Sequence, residues 1–530
     1  MLIYSIILLL LSTAVNNKRD SSILFSRITL IALINSLIVL SINFNINFIN
    51  EGLILYGGLF VIKNYILVFI IFILLVSIFI VSINAFYPRY LLNNEYNNKM
   101  SRSLNKILNR MTYEYRIIEY PLIILFCLTG AIFLMCSYDI VSIFLSIELQ
   151  SYGLYLLCSI YRNSESSINA GLTYFLLGGL SSCIILLGLS LLYVNTGNTS
   201  IENIFMINNI SNAFSNSILQ DTNLFSEIYS HYTYVQLPLA IMSIGFLFKI
   251  GSAPFHFWSP DVYDAIPTNV TIFVAIIAKI SILILLFELA FLNDSNLRNI
   301  SWLNNIVLSS LLSLIVGSIL GLVQYRIKRL YSYSTISHLG FILLALSINT
   351  VESSRAMFFY IIQYSLSNLN AFIILITIGY TLYFYIIKDN MYINKDNFSP
   401  IQLISQLKGY FYINPFIAIS LSLTLFSFVG IPPLIGFFAK QMILTTAIDK
   451  GYIFLTFVAI ITSVISAVYY LVIVKVMYFE KNTYNINKDI NPKDLTVNGY
   501  LSFSISVITL FIIFFMLFDY ELIKLIYVIT

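Results

Sequence analysis

The 530-residue sequence is 59% hydrophobic and only 10% charged, and its mean hydropathy is +0.89. A water-soluble globular protein of this length does not have such a composition. The formal net charge is only +4, so the sequence does not indicate a nucleic-acid-binding protein or an acidic macromolecular substrate. We therefore predict an all-α polytopic membrane protein.

Cysteine and histidine content argues against a metal or redox site in this chain. The four cysteines fall in apolar segments without a CxxC pair and are expected to be buried small apolar residues: Cys127, Cys136, Cys158 and Cys183. The chain has three histidines, too few for a zinc, haem or iron–sulfur site built from this chain alone. No metal and no cofactor is expected here.

Apolar runs long enough to cross a bilayer recur along the whole chain. The first run is followed, not preceded, by its cations Lys18 and Arg19, which is the wrong order for a secretory signal peptide. We predict about fourteen transmembrane helices, numbered here as spans 1 to 14: 1–15, 23–44, 65–86, 118–138, 140–161, 170–193, 237–258, 267–291, 302–323, 330–348, 357–387, 415–448, 452–479 and 500–529.

Loop charges support that number of spans. If the loops alternate between two sides, one side receives eighteen Lys and Arg residues, with Lys328 among them, and the other receives four. The side rich in Lys and Arg is the inner side under the positive-inside rule. Both termini and the long loop 195–236, which contains no Lys or Arg, are therefore expected on the outer side.

Two spans are interrupted by glycine and proline. Span 7 contains Gly251-Ser252-Ala253-Pro254 directly before His256, and span 12 contains Pro432-Pro433. Irregular backbone at membrane depth persists only where protein or water satisfies the freed polar groups. The two interrupted stretches are similar and lie five spans apart, and an odd offset inverts their orientation.

This pattern predicts two inverted repeats of five helices, spans 4–8 and 9–13, with spans 7 and 12 as the broken helices. The alternative is that Gly and Pro are here only ordinary residues of membrane helices. The corresponding domain boundaries are 1–117 for the first three helices and a basic loop, 118–293 and 294–480 for the repeats, and 481–530 for the C-terminal loop and helix.

Four charged residues lie at membrane depth. Glu148 is in the middle of span 5, Lys249 and Lys279 are mid-span in spans 7 and 8, and Lys440 lies beyond the break in span 12. A charge at that depth costs roughly 2.5–3.5 kcal/mol on insertion scales, so such residues are usually functional. One pair could be only a structural clamp, but Glu148 can neutralise only one of the three lysines.

Buried lysines are suited to moving protons. Burial disfavours the charged form of lysine and a nearby carboxylate favours it, so a lysine beside a movable carboxylate can take up and release a proton. Two histidines are further relay candidates, His256 after the break and His338 early in span 10, because imidazole exchanges protons near neutral pH. A lone histidine is otherwise more often a hydrogen-bonded core residue.

Several segments resemble a known family. The stretches 146–188 (SIELQSYG and onward), 245–271 (GFLFKIGSAPFHFW and onward), 336–346 (ISHLGFILLAL) and span 12 together resemble NADH-ubiquinone oxidoreductase chain 2. This is the family of the mitochondrially encoded antiporter-like subunit of respiratory complex I, and the resemblance extends roughly over residues 122–478. Abundant Ile, Asn, Tyr and Phe are typical of an AT-rich fungal mitochondrial genome.

The resemblance implies a core membrane-arm subunit of proton-pumping NADH:ubiquinone oxidoreductase in the mitochondrial inner membrane, with both termini in the intermembrane space. It implies that Glu148 and Lys249 form the controlling pair, that Lys279 is the central relay and that Lys440 is the distal residue. One departure concerns span 6, where bacterial relatives often carry a lysine and this sequence has Thr173. A relay step through that helix is therefore in doubt.

The resemblance also implies cofactors and partners. NAD, FMN, iron–sulfur clusters and ubiquinone are expected in other subunits of the complex, and this chain has no redox centre of its own. The expected partners are other membrane-arm subunits of complex I, including neighbouring antiporter-like subunits, and phospholipid such as cardiolipin, but no nucleic acid.

Three alternatives stay open on the sequence alone. A paralogue, either another antiporter-like subunit of complex I or a subunit of a cation/proton antiporter, tends to carry Glu where Lys440 stands. A stand-alone solute carrier predicts a polar pocket for an organic substrate and activity in isolation. A structural spacer would use its buried charges only as clamps between helices.

Overall fold

The computed structural model describes residues 1–15, 22–43, 52–85, 119–161, 164–207, 225–291, 302–385, 401–481, 499–515 and 517. These residues are mostly helical. The helices are α1 (Leu2–Val15), α2 (Ser22–Asn43), α3 (Asn64–Ala85), α4 (Glu119–Cys136), α5 (Ile140–Ser159), α6 (Glu165–Thr196), α7 (Phe225–Ile250), α8 (Trp258–Ala265), α9 (Thr268–Phe291), α10 (Leu303–Leu322), α11 (Ile327–Ile348), α12 (Val351–Tyr385), α13 (Pro415–Val429), α14 (Ile435–Asp449), α15 (Ile453–Phe479) and α16 (Gly499–Ile513).

The predicted class of helical membrane protein is confirmed. Ten of the helices in the described ranges are long and apolar enough to cross a membrane: α2, α3, α4, α5, α6, α9, α10, α11, α12 and α15. Shorter apolar helices are α1, the second half of α7, α13 and α16. Polar backbone groups have no water to bond in a bilayer, so each helix satisfies its own backbone.

Both predicted helix breaks are present. Gly251 has φ +76° and ends α7, and Gly430 has φ +88° and ends α13 with its N–H on the Phe426 carbonyl at 3.0 Å. This left-handed backbone conformation favours glycine because other residues place Cβ too close to the following carbonyl. α8 therefore continues predicted span 7 after the break, and α14 continues span 12.

A short β-hairpin corrects the all-α prediction. Strand β1 (Leu53–Leu55) pairs antiparallel with β2 (Phe60–Ile62), in the register Leu53 with Ile62. Gly57 and Gly58, both with positive φ, make the turn between the two apolar triplets. A Gly-Gly pair between apolar runs is a recognised hairpin pattern, so this element was predictable from the sequence.

The hairpin marks one end of the helix bundle, called here the hairpin end. The Tyr138 N–H donates to the Leu59 carbonyl at 3.0 Å, and Asp139 forms a β-bridge with Ser200. The Asn349 side chain after α11 donates to the Ala290 carbonyl of α9 at 2.9 Å. The ends of α4, α6, α9 and α11 therefore meet at this end.

The opposite end, called here the arginine end, is held by ion pairs between α8 and the start of α11. Arg326 lies 2.5 Å from Asp264, and Arg329 lies 2.8 Å from Asp261 and 3.3 Å from Asp264. The Ile327 N–H donates to the Gln402 carbonyl at 2.9 Å, which attaches the segment before α13 to the same end.

Three helices form the centre of the bundle. The most apolar stretches of α9, α11 and α12 are 100%, 94% and 89% buried, whereas those of α6 and α15 are each only 33% buried. α6 and α15 expose apolar side chains outward, as expected of helices that face lipid or another membrane subunit. Of the charged side chains on these three helices, Lys279, Glu288 and Lys328 are consequently buried, whereas Glu352 at the start of α12 is exposed.

Candidate functional site

Glu148 and Lys249 form an ion pair between α5 and α7. The Lys249 ammonium donates to Glu148 Oε1 at 3.2 Å. The side chain of Lys249 is 8% exposed and that of Glu148 is 14% exposed. Asp139 caps the start of α5 by accepting the Val141 N–H, which fixes the helix that carries Glu148. Lys249, expected in the middle of span 7, is next to last in α7, because Gly251 ends that helix and α8 continues the span.

Lys279 is buried at the centre of the bundle without a carboxylate. Lys279 is only 2% exposed, and its ammonium donates to Thr335 Oγ1 of α11 at 3.0 Å. The Thr335 hydroxyl donates in turn to the Ser332 carbonyl at 2.8 Å. The lysine Nζ also lies 5.5 Å from the centre of the Tyr263 ring, a cation–π contact. Within the described residues it has no ion pair.

His338 lies one turn after Thr335 and bridges two tyrosines. Its Nδ1 is 2.8 Å from the Tyr360 hydroxyl of α12, and its Nε2 is 3.4 Å from the Tyr470 hydroxyl of α15. The Tyr470 hydroxyl also lies 2.5 Å from Ser334 Oγ. His338 was expected early in its helix, but α11 begins at Ile327, so the residue is halfway along.

Lys440 is held by the end of a helix. Its ammonium donates to the carbonyls of Phe428 and Val429, the last residues of α13, at 2.9 and 2.8 Å. The C-terminus of a helix carries a partial negative charge, so these carbonyls stabilise the cation without an acidic side chain. Gly430 allows this approach, since a Cβ there would lie 3.2 Å from Lys440 Cδ.

His256 lies in the loop between α7 and α8 and is 7% exposed. Its carbonyl accepts the Ser259 N–H at 3.0 Å, and its ring lies 6.4 Å from that of Tyr333. Its Nδ1 has no hydrogen-bond partner in the part of the chain that the structure describes. Within the described residues, no hydrogen bond joins His256 to any of the three buried lysines of the predicted path.

Two buried ionisable residues escaped the sequence analysis. Glu288, near the end of α9, accepts from Lys63 at 2.5 Å, and the two side chains are 5% and 31% exposed. Lys328 was assigned to a loop, but it lies in the first turn of α11, is 1% exposed and donates to the Ile266 carbonyl at 2.6 Å. A glutamate within the apolar run of span 8 was a visible signal, whereas Lys328 lies between Arg326 and Arg329, in a basic stretch that resembles a loop.

Two further expectations concern single residues. Thr173 is exposed on α6, and its hydroxyl donates to the Ala170 carbonyl of the same helix at 3.0 Å, away from the buried lysines.

Cys127, Cys136 and Cys158 are buried as predicted, but Cys183 is exposed on the outer face of α6. No group of three His, Cys, Asp or Glu side chains able to hold a metal ion occurs among the described residues.

Comparison with known proteins bears on this arrangement of buried charges. The family described as NADH:quinone oxidoreductase/Mrp antiporter, TM, matches residues 137–466. NADH-ubiquinone oxidoreductase chain 2 of the fungus Rhizopus oryzae is 41% identical, over 100% of this chain and 99% of that one. The chain belongs to the NADH:quinone oxidoreductase/Mrp antiporter family.

A bacterial relative and a solved structure are also similar to this chain. Subunit N of NADH-quinone oxidoreductase from Pelagibacter ubique is 34% identical, over 75% of this chain and 76% of that one. A chain in the structure of respiratory complex I from Thermus thermophilus has the same fold, with a TM-score of 0.69 at 22% identity, covering 98% of this chain and 97% of that one. The family resemblance inferred from the sequence is confirmed.

Proposed function

We propose that this chain is a core membrane-arm subunit of proton-pumping NADH:ubiquinone oxidoreductase and that its buried charged residues form a proton path. The observation that carries the proposal is Lys279, a fully buried lysine whose ammonium donates to a neutral hydroxyl. A lysine that served only as a structural clamp would be paired with a carboxylate, because an uncompensated buried charge is costly.

We order the proposed proton path by the contacts that its residues make in the structure. Glu148 and Lys249 form an acid–base pair in which a proton moves between carboxylate and amine. Lys279 contacts Thr335, and His338 lies one turn further along α11. The imidazole has a hydroxyl at each ring nitrogen, so it can accept a proton at one side and release it at the other. Lys440 at the end of α13 is the distal site, and His256 is a peripheral candidate.

The finer architecture is part of the proposal. We infer fourteen transmembrane helices, with α7 and α8 as one broken span and α13 and α14 as another. The repeats would be residues 118–293 and 294–480, preceded by 1–117 and followed by 481–530. The directions of the broken helices support inversion: α7 packs antiparallel on α6 and ends near the arginine end, whereas α13 begins there.

Location and partners follow from the same reasoning. The arginine end would face the mitochondrial matrix and the hairpin end the intermembrane space, where both termini would lie. NAD, FMN, iron–sulfur clusters and ubiquinone would be held by other subunits, and neighbouring membrane-arm subunits would cover part of the exposed apolar helices.

Phospholipid is a further proposed partner. An apolar groove of about 690 Å³ lies between α10 and α15, with Leu308, Leu311 and Phe454 among its lining residues. The exposed Lys450 directly precedes this part of the lining in the sequence. An acyl chain fits such a groove, and a lipid phosphate would pair with the lysine.

Two substitutions of Lys279 test the proton path in the assembled complex. Lys279→Met removes a buried charge and should leave assembly intact while abolishing most proton translocation. Lys279→Arg keeps the charge but cannot release the proton at accessible pH, so it should also fail. Both are measured in proteoliposomes as protons translocated per NADH oxidised.

The two variants separate the alternatives. If Lys279→Arg pumps normally, positive charge is needed and proton exchange is not. If Lys279→Met also pumps normally, the central position of Lys279 in the path is wrong. Lys475→Met, at an exposed lysine of α15 outside the path, is the matched control and should pump as the unmodified complex does.

A further inference from the structure

A small cavity with a polar edge lies beside Lys249, where α5, α6, α7 and α9 meet. Its volume for water is about 20 Å³, and its lining includes Lys249, Gln150 and Ser151 together with Ala278 and Ile282 of α9. A cavity of this size holds one water molecule, provided that two or more polar groups face it. Lys249, Gln150 and Ser151 meet that condition.

Gln150 is held by Ser281. Its Nε2 donates to Ser281 Oγ at 3.0 Å, and the one hydroxyl hydrogen of Ser281 is shared between Gln150 Oε1 at 3.1 Å and the Ala278 carbonyl at 3.0 Å. Both residues are buried, at 3% and 0% exposure. An amide side chain has two N–H donors and two acceptor positions, so Ser281 leaves one donor and one acceptor for another partner.

The Gln150–Ser281 pair joins α5, the helix that carries Glu148, to α9, the helix that carries Lys279. Gln150 follows Glu148 by two residues on α5, and Ser281 follows Lys279 by two residues on α9. Residues two apart on a helix point in nearly opposite directions, so Lys279 faces α11 while Ser281 faces α5. The cavity-lining residues Ala278 and Ile282 occupy the α9 surface beside Lys279.

We propose that Gln150, held by Ser281, is a positioning residue for the water molecule that carries protons between Lys249 and Lys279. The amide does not exchange the proton itself. Its free donor and acceptor fix the orientation of the water. One lone pair of the water accepts a proton from the Lys249 ammonium, and one of the water's own O–H protons is released in turn towards the neutral amine of Lys279 on α9. This role rests on the proposed proton path and specifies one step of it.

The test uses Gln150→Leu and Ser281→Ala in the complete complex, reconstituted in liposomes. Gln150→Leu keeps the size of the side chain and removes its polar groups, and Ser281→Ala removes one oxygen. Each should lower proton translocation about fivefold, the factor expected for one lost hydrogen bond, and raise the solvent isotope effect in D₂O. The double variant should be no worse than Gln150→Leu, because the two residues act as a unit.

A matched control separates this role from helix packing. Asn305 is another interhelical amide, which donates from α10 to the Ala240 carbonyl of α7 at 3.3 Å, away from the cavity. Asn305→Leu should leave both the proton yield and the isotope effect unchanged. An equal effect of Asn305→Leu and Gln150→Leu would overturn the proposal, as would an unchanged isotope effect in Ser281→Ala.

The Lys279→Met variant tests the proton path independently of the water-positioning role of Gln150. If Gln150→Leu does not assemble, the one-atom change in Ser281→Ala decides the matter. If Lys279→Met fails to pump while Ser281→Ala and Gln150→Leu pump normally, only the water-positioning role is wrong. If Lys279→Met pumps normally, the proposed path itself is wrong.

Discussion

At the scale of single residues, Glu288 and Lys63 form an ion pair outside the proposed path. Glu288 Oε1 is 2.5 Å from the Lys63 ammonium, while Glu288 Oε2 is buried and has no partner in the described residues. Lys63 lies between β2 and α3 and sits 5.2 Å from the Tyr138 ring centre. The pair therefore attaches the hairpin to α9, the helix that carries Lys279.

Removing one partner of this pair should destabilise the subunit. Lys63→Met leaves a buried carboxylate unpaired, at a cost of roughly 1–3 kcal/mol, less than for a fully buried pair because a third of Lys63 is exposed. The melting temperature of the detergent-solubilised complex should fall. Adding Glu288→Gln in the same chain should restore most of the loss, and a double variant as unstable as Lys63→Met would contradict this account.

Glu148→Gln should lower proton translocation while the complex still assembles. Glutamine keeps an oxygen that can accept from Lys249 but cannot take up a proton, so the acid–base pair no longer exchanges. Proton yield per NADH is the measurement. Glu352→Gln, at an exposed position in the first turn of α12, is the control. An unchanged yield in Glu148→Gln membranes would remove this residue from the path.

The sequence and the family resemblance were sufficient to select four of the buried charges and the Glu148–Lys249 pair, but not the partners of Lys279 and Lys440. Glu148, Lys249, Lys279 and Lys440 stand out because charged residues are rare and costly within apolar spans. Their partners include the Thr335 hydroxyl and the Phe428 and Val429 carbonyls, which are ordinary groups until folding brings them close. Such contacts depend on tertiary packing, and no local pattern contains them.

At the scale of helices, the break between α13 and α14 depends on close backbone packing. Gly436, in the first turn of α14, lies against the Ser427 carbonyl of α13, so that a Cβ there would overlap the carbonyl oxygen. Lys440 follows one turn later and bonds to the end of α13. The spacing of the two half-helices therefore sets the position of the lysine.

Gly436→Ala should push α13 and α14 apart and weaken the contacts of Lys440 with the two carbonyls. We expect a complex with lower thermal stability and reduced proton translocation. Gly179→Ala is the matched control, because no atom lies within 4 Å of a Cβ at that position of α6. It should be neutral or slightly stabilising, since alanine is the better helix former. Equal behaviour of the two variants would show that the break tolerates a side chain.

Hydropathy predicted the long helices well, because a bilayer requires apolar runs of fixed length. It also predicted both breaks, since Gly251 and Gly430 with their neighbouring prolines interrupt such runs. The hairpin was missed because its two strands are only three residues each, too short to show an alternating pattern. The Gly57-Gly58 turn was the one local signal of it.

At the scale of the whole molecule, the two ends of the bundle differ in their content of Lys and Arg. The arginine end has ion pairs of Arg326 and Arg329 with α8, and Lys408 lies 3.0 Å from Glu480. At the hairpin end, Lys63 is paired with Glu288. This difference in Lys and Arg content supports the orientation with the arginine end towards the matrix.

A protease-sensitive tag inserted in the loop 195–236 tests the orientation. The tag should be cleaved in mitoplasts, whose outer membrane is removed and whose inner membrane is intact. A second tag between residues 386 and 400, expected on the matrix side, should be protected until detergent is added. The reverse pattern would place the arginine end in the intermembrane space.

The helix end that holds Lys440 has an electrical consequence. A proton shared between Glu148 and Lys249 can pass from one to the other without altering their combined charge. The carbonyls of Phe428 and Val429 cannot be protonated under physiological conditions, so each proton that arrives at or leaves Lys440 alters the net charge of its surroundings by one unit. In the proposed proton path, protonation of Lys440 would therefore be sensitive to the membrane voltage.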